Sequence, residues 1–156
     1  MRIQPAGWLV IAIAAAGCKQ APPPPAFQAV ATVKQLMASI LEPAADGYWD
    51  AVGSVDDAKG TTYTAPRNDQ EWNDVRDYAY IIAESGNLLM MGSRARERAD
   101  WIAMSEGLIA AGRRALAAAE ARDTVAVFNA GAEVYDACTK CHAVYLVPAV
   151  QPAATR

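Results

Sequence analysis

The chain has 156 residues, 53% of them hydrophobic, enough for one domain with a real core and too little for several. Its formal net charge of −3 argues against nucleic acid as the main partner. A single histidine serves the whole chain, so a site needing two imidazoles cannot be built within it.

Residues 1–17 read as a targeting segment. Arg2 is a short positive n-region, and Trp8-Leu9-Val10-Ile11-Ala12-Ile13-Ala14 is an apolar run too short to span a membrane. Ala15-Ala16-Gly17-Cys18 follows and resembles a bacterial lipoprotein box, with Ala15 where leucine is commoner. Cleavage before Cys18 with lipidation of its thiol is the expectation; ordinary cleavage nearby is the alternative. Residues 18–26 form a linker whose Pro22-Pro23-Pro24-Pro25 favours a stiff, extended polyproline spacer or a tail without a role.

The four-helix domain is expected over 27–147. The first helix is expected from about Phe27 to Val52, with a seam of Val30, Val33, Met37, Ile40, Ala44, Tyr48 and Val52. Pro43 removes a backbone donor and should kink or break it near Ser39–Pro43. A loop is expected over 53–67, rich in turn formers and without a period. Asn68 with Glu71 three residues on reads as a capping box opening the second helix. Its seam is Trp72, Val75, Ala79, Ile82, Gly86 and Leu89, and Gly92-Ser93 ends it.

The third helix is expected from about Arg94 to Ala121. Trp101, Leu108 and Ala115 repeat at heptad spacing, as do Ile102, Ile109 and Leu116. The fourth runs from near Asp123 to about Tyr145, with Val127, Gly131, Val134, Cys138, Cys141, His142 and Tyr145 facing inward. Pro148 and Pro152 prevent continuation into the tail of 148–156. No stretch alternates as a strand would. The expected fold is all-α, an antiparallel four-helix bundle.

Cys138-Thr139-Lys140-Cys141-His142 carries the chemistry. C-x-x-C-H is the attachment signature of haem c. Two thiols at that spacing can form thioethers to the two vinyl groups of one porphyrin, and the adjacent imidazole falls under the iron as axial ligand. A chance match, a redox Cys-x-x-Cys and a zinc site are the rival readings. The redox motif expects a βαβ context, and zinc wants a fourth ligand. The third cysteine, Cys18, then has no disulfide partner, which a lipid would explain.

A four-helix bundle with C-x-x-C-H on its last helix resembles the class II c-type cytochromes, the cytochrome c-prime family, over roughly Phe27 to Tyr145. The resemblance implies one covalent haem c, with His142 as proximal ligand and a sixth site that is either empty or filled by a methionine of the first helix. Leu36-Met37-Ala38-Ser39-Ile40 looks like that segment, which makes Met37 the expected sixth ligand. Bundle topology puts Met90, Met91 and Met104 near the same level, and each of the four methionines could instead fill core. Many family members carry Arg or Lys just past the haem histidine; here Ala143-Val144-Tyr145-Leu146 stands there.

Arg67, Arg76, Arg94, Arg96 and Arg98 are candidates for the haem propionates or plain surface charges. The expected function is electron carriage in the periplasm, not enzymatic turnover. Redox proteins are the expected partners, with a membrane contact through Cys18 and a possible homodimer. Gas binding, for instance of nitric oxide at an open sixth site, is the alternative. An interaction module with a purely structural haem is the third reading.

Overall fold

The structure is a computed structural model, described here for residues 27–95 and 99–146. Helices α1 (Val33–Leu36), α2 (Glu42–Asp50), α3 (Asp69–Leu89), α4 (Ala99–Glu120) and α5 (Thr124–Tyr145) dominate it. A π-helical turn, Met37–Leu41, joins α1 to α2 without a break, so four helical rods result. The helices pack around a ring: α3 on α4, α4 on α5, and α2 on both α3 and α5. Among the described residues no helix is long and apolar enough to cross a membrane. The signal and linker segments, 1–26, lie outside the described residues, as does nearly all of the tail.

The first rod departs from expectation at both its start and its seam. It opens at Val33, not Phe27, because Thr32 and Gln35 form a reciprocal capping box. The Gln35 N–H donates to Thr32 Oγ1 at 3.2 Å, and the Thr32 N–H donates to Gln35 Oε1 at 3.0 Å. Pro43 does not break the helix. The Glu42 N–H reaches past the usual acceptor to the carbonyl of Met37, five residues back, so one wider turn precedes the proline. That turn displaces the apolar seam. Leu36 and Leu41, five apart, are buried, whereas the expected Val30 and Ile40 are exposed. Below the turn the ordinary spacing returns with Ala44, Ala45 and Tyr48.

Residues 53–67 are not the featureless loop expected. Strands β1 (Gly53–Asp57) and β2 (Gly60–Thr64) form an antiparallel hairpin, with Val55 opposite Thr62 and Ser54 opposite Tyr63. Thr61-Thr62-Tyr63-Thr64 is a run of strand formers. Asp57 closes the turn by accepting the Lys59 N–H at 2.7 Å. Gly60 has φ +123°, which favours glycine there.

The second and third rods hold to expectation more closely. Asn68 caps α3, accepting the Glu71 N–H at 3.0 Å; the Glu71 carboxylate accepts from the Arg67 backbone N–H at 2.7 Å and from the Asn68 side-chain amide at 3.0 Å. Val75, Ala79, Ile82, Gly86 and Leu89 are buried along one stripe. Trp101, Leu108 and Ala115 do the same on α4, but the described helix begins at Ala99. Arg94 belongs to a short 3-10 turn, Gly92–Arg94, before it. Helices α3 and α4 touch through small residues: a Cβ on Gly112 would stand 2.6 Å from the Ala83 nitrogen, and one on Gly86 2.7 Å from the Ser105 carbonyl oxygen.

Candidate functional site

The site is built on the last two turns of α5. Asp123 starts that helix by accepting the Val125 and Ala126 N–H groups at 2.9 and 3.0 Å. Val127, Ala130, Gly131 and Val134 fix its rotation by burial in the core. Continued at helical spacing, that rotation puts Cys138, Cys141, His142 and Tyr145 on a half-buried face. Thr139, Lys140, Ala143 and Val144 between them are exposed. The helix runs through the motif, since the Leu146 N–H donates to the His142 carbonyl at 2.9 Å.

Burial pushes the Cys138 thiol above the usual range, and the neighbouring Cys141 adds to it. The C-terminal end of a helix also disfavours a thiolate. A redox Cys-x-x-Cys wants the opposite, a stabilised thiolate. Among the described residues no group of three or more His, Cys, Asp or Glu side chains is arranged to hold a metal ion, which is what a zinc site on this motif would require. Haem attachment asks something different: two sulfurs spaced along one helix face and one ring nitrogen beside them. The two thiols and one imidazole on this face match the residues such a group needs from the helix.

The end of the molecule that carries the motif is fixed by long-range contacts. Trp101, at the start of α4, meets Tyr145 edge to face at 4.9 Å. Its indole N–H donates to the Leu89 carbonyl at the end of α3, at 3.1 Å. Arg94 Nη1 donates to the Ala31 carbonyl, just before α1, at 3.2 Å. At mid-length the Trp49 indole N–H donates to the Gly131 carbonyl at 2.9 Å, tying α2 to α5. From that tie Met37 lies twelve residues back and Cys141 ten residues on, about 18 and 15 Å along the two rods. The Arg94 tie to Ala31, six residues before Met37, likewise puts the start of the first rod at this end.

Met37 is half-buried against the core at the head of the π turn. π turns recur at functional sites because the extra residue re-aims side chains. Met90, Met91 and Met104, all half-buried, belong to the same end. The candidate arginines divide. Arg67 pairs with Glu71 beside the hairpin, at the opposite end, and Arg76 pairs with Asp77. Arg94 is buried. Arg96 and Arg98 lie outside the described residues.

Two features carried no sequence signal strong enough to be picked out. One is the pairing of Trp101 with Tyr145, each expected to face inward but not expected to meet the other. The other is an apolar groove of about 370 Å³ between α2 and α5, lined by Trp49, Phe128, Gly131 and Tyr135 among others. Comparisons with protein-family models, with curated proteins and with solved structures find no match to this chain.

Proposed function

We propose that this chain is a c-type cytochrome of class II architecture, an antiparallel four-helix bundle carrying one covalent haem c and passing electrons in the periplasm. The observation that carries the reading is the placement of Cys138, Cys141 and His142 on one half-buried helical face at the end of the molecule shared by Met37. The ring-wise packing of four helical rods supports the bundle.

In this reading the Cys138 and Cys141 thiols each add across one porphyrin vinyl group, sulfur to one carbon and proton to the other. His142 offers its ring nitrogen as the proximal ligand. Met37 offers a thioether from the first rod. When bound, haem supplies an iron that cycles between ferric and ferrous states. The chain's own contribution is to exclude water, fix the ligands and bias that couple: a thioether ligand and a dry wall both favour the ferrous form. Trp101 and Tyr145, which meet edge to face, would wall the site on the side of His142. Residues 1–17 direct export and Cys18 takes a lipid, which holds the domain at a membrane surface facing its redox partners.

The test is an absorption spectrum of the exported, purified protein in both redox states, followed by acid–acetone extraction. Haem that stays with the polypeptide and a six-coordinate, low-spin iron are expected. Haem lost to the solvent overturns covalent attachment. A five-coordinate iron replaces electron carriage by small-gas binding.

A further inference from the structure

Arg94 is the one described arginine that is buried, 7% exposed. Arg67, Arg76, Arg114 and Arg122 each have a carboxylate: Glu71, Asp77, Glu133 and Asp69 respectively. Among the described residues no carboxylate pairs with Arg94. Its Nε donates to the Leu88 carbonyl at 2.7 Å and its Nη1 to the Ala31 carbonyl at 3.2 Å. A guanidinium has more N–H donors than these two carbonyls use. Among the described residues its acceptors are neutral, and a buried charge without a counter-ion is costly.

The location says which anion is wanted. Arg94 binds Leu88 O, the adjacent Leu89 O binds the Trp101 indole, and the Trp101 ring rests on Tyr145, three residues past His142. The buried cation thus stands at the end of the molecule that carries the haem motif. The motif's own group brings carboxylates there, the two porphyrin propionates.

We infer that Arg94 is the positioning residue for a haem propionate: its free N–H groups take the carboxylate while Nε and Nη1 stay on the Leu88 and Ala31 carbonyls. This rests on the haem c reading. It makes Arg94 a three-way tie between the segment before α1, the end of α3 and the cofactor. A fixed positive charge paired with a propionate would also favour the ferrous state of the bound group. Arginine suits the role because its planar fork can serve carbonyls on one side and a carboxylate on the other.

The experiment uses the haem-loaded, full-length protein and the variants Arg94→Gln, Arg94→Lys and Glu97→Gln. Glu97 lies outside the described residues and is the rival source of a carboxylate. The readouts are the reduction potential and the propionate bending band in the resonance Raman spectrum. Arg94→Gln is expected to lower the potential and shift the band. Arg94→Lys, which keeps the charge, should recover most of the potential and less of the band, and Glu97→Gln should move neither. A lower melting temperature in both Arg94 variants with potential and band unmoved overturns the inference, because a purely structural cap would behave so. If neither Arg94 variant folds, the crystal structure of the loaded wild type decides: every guanidinium nitrogen lying beyond about 3.5 Å from both propionates overturns it. Haem that is not covalently held overturns the haem c reading and this inference together; haem held with no Arg94 effect overturns only the inference.

Discussion

Trp101 and Tyr145 meet edge to face, ring centres 4.9 Å apart and planes at 84°, joining the first turn of α4 to the last turn of α5. The contact does two things at once. It clamps the motif-bearing end of α5, and through the Trp101 indole it satisfies a C-terminal carbonyl of α3.

Trp101→Phe keeps an aromatic ring but removes the N–H that serves Leu89. The variant should lose about 1–3 kcal/mol of unfolding free energy, the cost of leaving that buried carbonyl unmade. The check is the urea midpoint of the purified protein. An unchanged midpoint would remove Trp101 from the list of contacts that hold this end together.

Replacing Met37 by leucine keeps a similar volume, so packing changes little. With Met37 on the iron, loss of its thioether should lower the reduction potential and abolish the weak near-infrared band of methionine-to-iron charge transfer. Carbon monoxide should then bind faster. If spectrum and potential do not move, Met90, Met91 and Met104 are the next residues to replace.

Gly112 and Gly107 lie five residues apart on α4 but face different surroundings. A Cβ at Gly112 would strike the Ala83 backbone, whereas none of the neighbours comes within 4 Å of one at Gly107. Gly112→Ala should destabilise by about 1–3 kcal/mol through overpacking. Gly107→Ala should stabilise by up to about 1 kcal/mol through helix propensity. Paired thermal melts settle both signs.

With its thiol free, Cys138 has a raised pKa that makes stability depend on pH. A group whose folded pKa lies above its unfolded value keeps its proton longer in the fold. Between the two values the unfolded chain has released the proton and the folded chain has not, so stability falls as pH rises. Unloaded protein should therefore weaken above the ordinary thiol range, and Cys138→Ser should flatten that slope. Denaturant titrations at pH 7 and at pH 10 provide the measurement.

Mass spectrometry of the native N-terminus tests export and lipidation. The first residue should be Cys18 carrying acyl chains. An unmodified Cys18 or a retained Met1 contradicts the anchor.

Legibility in the sequence followed how local each signal was. The motif needed only five consecutive residues, and α3 and α4 kept an unbroken helical period, so Val75, Ile82, Trp101 and Leu108 could be placed in the core directly. The first rod misled because its period changes between Leu36 and Leu41, where one wider turn moves burial off Ile40. The hairpin was invisible to periodicity because nearly all its side chains are exposed, so alternation had no buried face to mark. The burial of Arg94 left no pattern at all: a cation held by main-chain carbonyls depends on where other segments end, and no window around residue 94 contains that information.

A π turn is what a single inserted residue leaves behind when neighbours pin a helix on either side. In those terms Met37–Leu41 divides the first rod into two reading frames of faces, one set by Leu36 and one by Leu41, Ala44 and Tyr48. Removing one residue from the turn would heal the rod into plain α-helix and rotate everything before it by roughly 100°. Met37 would then swing off its present face while Tyr48 stayed where it is. The face that Met37 takes is thus set by the wider turn as much as by the residue's own identity.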